Sequence, residues 1–379
     1  MYERKTVRGL RVAIFVFSIA AVAAGAMANT IISVSNYQVV ARLTGTPSLN
    51  NTASPSPLLV GGADLGIPIY HNGKTYFLFG DTFSGETSYD GGNWRRNTMA
   101  WSTDTTPSDG IIFDGWATNT LGKAKVLYTN NEPSGSGVVS TLPTGGISAN
   151  GELYVYFMNH TSYGASQSEL ARFNPTNNTF ATVSGCTFAG TGNFIQVAVR
   201  EGQGSDPYLY VWGTPYGRGG GVKLARVLPA QIETRGAYQF YDGTVGGTAQ
   251  WNSDEFQADQ IVPGGVGEMS VMYNQALGAW TLMYLNGVND RFEIRQAPNP
   301  WGPWSNAFTV MQTYLELQYS PMMLPSWVEN DGQTVYFTMS DWGTYDVYLA
   351  KATLNMTPEP AAMSLLALGG LAVMRRRRK

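Results

Sequence analysis

The chain of 379 residues contains one cysteine, Cys186, so no intrachain disulfide is available and the fold must be held by its core. It has two histidines, His71 and His160, far apart in sequence, which leaves no metal-ligand spacing and no Ser-His-Asp arrangement. No metal or other cofactor is therefore expected. Charged residues make up only 13% of the chain, and no long stretch repeats its apolar residues every 3.6 positions, which excludes a helical bundle. The glycine-rich run 217–221 lacks a Gly-Lys-Ser/Thr step and a strand-to-helix context, so it is not a phosphate loop. Nine of the 24 Lys and Arg lie at the two ends, within residues 4–11 and 375–379, and the body between them carries about −11. An acidic body excludes nucleic-acid phosphate as a partner and suits a neutral or basic polymer.

The two ends are legible as processing signals. Arg4, Lys5, Arg8 and Arg11 precede an apolar run at 12–24 and the small-x-small step Ala26-Met27-Ala28. This pattern predicts a secretory signal peptide over residues 1–28, with an uncleaved membrane anchor as the alternative. At the other end Pro358-Glu359-Pro360 is followed by an apolar run at 361–374 and then by Arg375-Arg376-Arg377-Arg378-Lys379. The run is short for a membrane span, but the basic cluster would hold it at a cytoplasmic face. In this order the tail, residues 356–379, resembles the PEP-CTERM sorting signal. The resemblance implies a Gram-negative-type bacterium that makes exopolysaccharide. It also implies a transmembrane segment before processing, an exosortase-type protease as partner, and a product outside the cell or on its surface. An ordinary C-terminal anchor is the alternative.

Between the ends, residues 29–57 hold a strand at 37–43 and a Ser/Thr/Pro/Asn-rich loop, and residues 58–355 form the main domain. Short alternating runs separated by Gly, Asn, Asp and Pro mark this domain as all-β. A strand, a tight turn, an aromatic strand (YFLFGD, LYVYFM, LYVWGT, WTLMYL, VYFTMS) and a third strand recur five times. Five such units predict a five-bladed β-propeller, with the strand at 37–43 completing the last blade; a β-sandwich is the runner-up.

The first unit carries the chemistry. Asn72-Gly73 supplies the two positive φ angles of a type I′ hairpin turn, and the register it sets places Asp64 opposite Asp81. Facing carboxylates repel, which costs stability unless the pair is used. Pro68 in the first strand cannot donate to a ladder on both sides, so that strand is expected at a sheet edge.

The set Ala63-Asp64-Leu65-Gly66-Ile67-Pro68, Phe79-Gly80-Asp81-Thr82, Trp94-Arg95-Arg96-Asn97, Trp212-Gly213-Thr214, Leu224-Ala225-Arg226, Glu268-Met269-Ser270-Val271 and Trp301-Gly302-Pro303-Trp304-Ser305 resembles domain-of-unknown-function family 4185. Part of that family is glycoside hydrolase family 183, five-bladed propellers acting as endo-D-arabinanases. The resemblance implies that Asp64 and Asp81 are the catalytic acids, one protonated to serve the leaving oxygen and one ionised to activate water or attack the anomeric carbon. Which aspartate is the acid stays open at this point; the likeness favours inversion. Glu268, Arg96, Asn97 and Arg218 are expected to bind substrate, and Trp94, Trp212, Tyr216 and Trp342 to offer stacking platforms. The expectation is an exported, endo-acting, furanoside-directed hydrolase, with D-arabinan itself disfavoured by the kind of bacterium the tail implies. The alternative is a non-catalytic propeller that binds exopolysaccharide or acts as a surface scaffold. A lyase would need an acidic sugar, which the negative body disfavours.

Overall fold

The computed structural model describes residues 29–53, 55–87, 92–129, 137–314 and 317–358. The expected signal segment and the tail's apolar run lie outside them. Among the described residues no helix is long and apolar enough to cross a membrane, and the helical elements are four short 3-10 turns.

Asn72 and Gly73 both adopt positive φ, +48° and +81°, and the hairpin they make pairs Ile67 with Leu78 through to His71 with Lys74. Beyond a three-residue break the same register resumes, with Ala63 opposite Thr82 and Gly62 opposite Phe83. Asp64 and Asp81 fall inside the break, so the ladder brackets them on both sides. Ile67–His71 is the edge of its sheet, where Pro68 leaves no central ladder bond unmade.

That sheet is the first of five blades. It runs outward through Ile67–His71, Lys74–Phe79, Thr98–Ser102 and Gly115–Trp116. The second is Val138–Ala149, Glu152–Thr161, Gly164–Asn174 and Thr179–Ala189. The third, Gln196–Glu201, Leu209–Thr214 and Val222–Val227, is extended by Gln239–Val245 and Thr248–Asn252, and Gln260–Val262 also pairs with its third strand. The fourth is Val266–Asn274, Ala279–Asn286, Arg291–Ala297 and Phe308–Gln312. The fifth is Gln318–Glu329, Thr334–Asp341, Asp346–Pro358 and, as its outermost strand, Asn29–Arg42. The innermost strands touch in the cycle one, two, three, four, five, one, which closes a five-bladed ring.

The expected closure by the N-terminal strand is therefore observed, over Asn29–Arg42 rather than 37–43 alone. Arg42 and Thr44 both bond the buried Asp346, tying the chain's beginning to its last strand. The outer strands of the blades are less apolar and were not distinguished in sequence. Residues 125–128 form no strand; the amides of Leu127 and Tyr128 are held by the Asn97 side chain instead.

Each blade packs both faces against neighbours, which explains the aromatic second strands. Leu209–Thr214 and Ala279–Asn286 are buried at every residue, so they read as continuous apolar runs rather than alternating ones. The repeated third-strand glutamate also has a physical basis. Glu169 accepts from Tyr128 and Asn159, and Glu293 from Tyr284 and Asn286, so the third-strand acids of the second and fourth blades are fully partnered in the core.

Candidate active site

All five inner strands begin at one mouth of the ring, and there they surround a cavity of about 700 Å³. Asp64 and Leu65, just ahead of the first strand, share its lining with Leu142, Gln196, Glu268 and Tyr319, one from each of the other four. Asp81, His160, Tyr216, Arg218, Trp342 and Tyr345 come from loops and strand ends at the same mouth.

Backbone strain places Asp64. Leu65 and Gly66 are both left-handed, φ +66° and +64°, and this kink interrupts the ladder. A leucine there is costly, and such outliers persist where the surroundings over-determine them. Gly80 faces the kink: a Cβ at that position would meet Asp64 Oδ1 at 2.4 Å and Leu65 Cδ1 at 2.9 Å. Only glycine lets the two strands approach around the carboxyl.

Asp64 is 8% exposed. Burial first, then the charge of Asp81 and more weakly that of Glu268, push its pKa up to about 8. The Tyr319 hydroxyl donates to Oδ2 at 3.0 Å and, with Tyr345, partly offsets this. Oδ1 has no hydrogen-bond partner among the described residues. The carboxyl is thus mostly protonated at neutral pH.

Asp81 has different surroundings. Burial raises its pKa too, but Ser140 Oγ and Trp94 Nε1 each donate to Oδ1 at 2.7 Å, and His160 and Arg96 add favourable charge. Every one of these partners favours the ionised form. Two carboxyls on one hairpin are therefore divided by environment, one facing acids and one facing donors and cations.

Across the cavity Arg218 pairs with Glu268, Nη2 to Oε1 at 2.9 Å, and its guanidinium lies 5.3 Å from the Tyr319 ring centroid. Glu268 Oε2 is buried with no hydrogen-bond partner among the described residues. His160 packs edge-on to Tyr216 at 5.7 Å, its pKa lowered by burial against the pull of Asp81. Trp342 packs edge-on to Tyr345 at 5.3 Å. Among the described residues no group of three or more His, Cys, Asp or Glu is placed to hold a metal ion.

The cavity thus brings together Asp64, Asp81, Glu268 and Arg218, with Trp94 and Arg96 stacked at its rim beside Asp81. Two expected substrate-binding residues are elsewhere. Asn97 is fully buried and spends its whole amide on Leu127, Tyr128 and Thr141, stitching the first blade to the second. Trp212 is fully buried against Tyr210 and Trp280 and donates to the Pro300 carbonyl at 3.0 Å. Neither has a free face for a sugar. Sequence reasoning did not find Tyr319, Tyr345 and Ser140, which come from other blades, and it set His160 aside as a lone histidine.

The protein is a five-bladed β-propeller with a paired-carboxyl cavity at the mouth of its ring. By sequence the chain belongs to the family described as Domain of unknown function (DUF4185), matched over residues 48–351. Residues 357–379 match the PEP-CTERM protein-sorting motif, which marks the chain for export and sorting. A curated relative, "Notoamide biosynthesis cluster protein J" of Aspergillus sp. (strain MF297-2), is 27% identical over 326 residues, covering 80% of this chain and 84% of its own. Among solved structures, one titled a "putative hydrolase" from Bacteroides ovatus ATCC 8483 shares the fold with a TM-score of 0.54 at 12% identity, over 77% of this chain and 86% of that one. An exo-beta-1,3-galactanase from Phanerochaete chrysosporium aligns with a TM-score of 0.49 at 13% identity, over 83% of this chain and 64% of that one.

Proposed function

We propose that the protein is an exported glycoside hydrolase that cleaves an extracellular polysaccharide, with Asp64 as general acid and Asp81 as general base. The observation that carries the reading is the unequal setting of the two aspartates in one cavity: Asp64 is held protonated up to about pH 8, while Asp81 is surrounded by groups that favour its charge. Asp64 gives its proton to the glycosidic oxygen as that bond breaks. Asp81 takes a proton from a water whose oxygen attacks the anomeric carbon, and the configuration inverts. With Oδ1 held by Trp94 and Ser140, Oδ2 is the oxygen assigned to that water. Glu268, Arg218 and Arg96 are assigned to sugar hydroxyls, and Trp94, Trp342 and Tyr216 to sugar faces. Endo action on a furanoside-containing chain is assigned from the family likeness. The exported domain begins at Asn29, after removal of residues 1–28.

The test is incubation of residues 29–358 with a panel of bacterial polysaccharides, scoring new reducing ends, product size and, by proton NMR, the anomer first released. New ends that vanish in both Asp64→Asn and Asp81→Asn support the assignment. Activity unchanged in both variants removes it. Saturable binding to a polysaccharide with no new ends selects the non-catalytic binding reading instead.

A further inference from the structure

We propose that the sorting tail leaves the propeller on the face opposite the cavity. Before processing, the chain would then be held with its cavity turned away from the membrane, and removal of the tail would free it. The inference rests on the match of residues 357–379 to the sorting motif and does not depend on the hydrolase reading.

Strand direction is the first argument. The last strand, Asp346–Pro358, starts one residue after Tyr345, which lines the cavity, and runs away from it. Its 13 residues span the depth of the ring, roughly 40 Å at about 3.3 Å per residue. It ends at the level of the Asn274–Ala279 turn: Asn29, the partner of Pro358, donates its backbone N–H to the Leu277 carbonyl and its side chain to the Ala276 carbonyl. That turn is at the far end of Val266–Asn274, whose beginning carries the cavity residue Glu268. The sorting motif therefore begins inside the last strand pair, with no linker between sheet and motif.

The second argument is that both processed ends meet there. Asn29, the first residue after the expected signal, is paired with Pro358, the first residue of Pro358-Glu359-Pro360. One corner of the fifth blade can carry both tethers to one bilayer without distorting the ring.

The third is charge. The face opposite the cavity is mixed in charge: Glu152, Glu201 and Asp331 are exposed and Glu329 and Asp206 partly so, while Lys74, Lys125 and Arg200 are half-buried, Lys125 held on the Asn177 carbonyl and Arg200 on the Val199 and Met323 carbonyls. Such a face presents no exposed basic cluster of the kind that binds anionic lipid. Once residues 1–28 are removed, as proposed above, the tail is the attachment that remains, and cutting it releases the domain.

Cys186 is buried and free, so cysteines introduced on the surface can be labelled selectively. The tail-bearing chain is reconstituted in phosphatidylethanolamine–phosphatidylglycerol vesicles containing a headgroup quencher. A fluorophore is placed at Thr176→Cys or Gln203→Cys on the proposed membrane side, or at Tyr163→Cys or Val288→Cys on the cavity side; all four positions are exposed. Several-fold stronger quenching at 176 and 203 than at 163 and 288 is expected, and equal or reversed quenching overturns the orientation. In flotation, the chain ending at Pro358 is expected to leave the vesicles. If it floats with them as the full chain does, the release is overturned. Neither readout requires catalysis, so a failure here leaves the hydrolase assignment to its own test.

Discussion

Asp64→Asn should abolish activity and raise stability at once. A carboxyl whose pKa is ordinarily 3.8 and is raised to about 8 in the fold binds a proton that the unfolded chain has already released. Between those two values the native state holds more protons than the unfolded state, so this group's contribution to stability falls as pH rises through the window and levels off above about 8. The full gap is roughly four pKa units, a ceiling of about 6 kcal/mol at about 1.36 kcal/mol per unit. Relaxation around the charge and residual structure in the unfolded chain reduce it, and we expect ~2–3 kcal/mol at pH 8. Asparagine keeps the shape and the Tyr319 hydrogen bond and carries no charge to bury. For a chain of this size that is roughly 5 °C in Tm. The assay is thermal unfolding of parent and variant from pH 5 to 9: the gap should widen from pH 5 to 8 and then flatten. On the same samples the loss of a general acid should lower kcat by ~10²–10⁴-fold. Parallel stability curves, or a variant less stable at every pH, would refute the claim that Asp64 is held protonated by burial and by its acidic neighbours.

Gly80→Ala forces a Cβ to within 2.4 Å of Asp64 Oδ1, so activity should fall at least ~10-fold while circular dichroism is kept. Trp94→Phe removes one of two donors to Asp81 Oδ1; the acid limb of the pH–rate profile should move to higher pH, because the ionised form loses a partner, while the alkaline limb set by Asp64 stays near pH 8. Asn97→Ala leaves the Leu127 and Tyr128 amides and the Tyr128 and Thr141 carbonyls without their side-chain partner, and should cost about 2–4 kcal/mol in denaturant unfolding with KM unchanged. Arg42→Met leaves the buried Asp346 without its cation and should lower stability by about 3 kcal/mol, measured by calorimetry.

How much of this was legible in sequence follows from which interactions are local. The hairpin was readable because Asn72-Gly73 is a short-range signal and a two-residue loop leaves one register, so the placing of Asp64 against Asp81 needed no tertiary information. Blade number was readable because every second strand is packed on both faces and repeats as an aromatic run. The outer strands were not, since Thr179–Ala189 alternates weakly and Gln239–Val245 is largely exposed. Asn97 and Trp212 were misread for one reason: a polar or amphipathic side chain in a family motif looks the same in sequence whether it faces a ligand or completes an inter-blade contact. The amide of Asn97 has its partners in residues 127, 128 and 141, and no spacing rule reaches them.

The division of labour between the aspartates was illegible for a deeper reason. The charge of Asp81 is local to the hairpin, but the burial that raises Asp64 most comes with the closed ring, and its other neighbours are distant: Tyr319 and Tyr345 of the fifth blade, which partly offset the rise, and Glu268 of the fourth, which adds to it, all more than 200 positions along the chain. Tyr345 also accepts, through its carbonyl, the Ala63 amide at 2.7 Å, one residue before Asp64. The last blade is itself completed by the chain's first strand, latched at Arg42 and Asp346. The acid's environment is therefore a property of the closed ring more than of the hairpin that carries it. A first blade folded alone would hold both carboxyls in register but in water, with ordinary pKa values and no means of keeping one protonated at neutral pH. The hairpin supplies the pair, and ring closure makes the two members unequal.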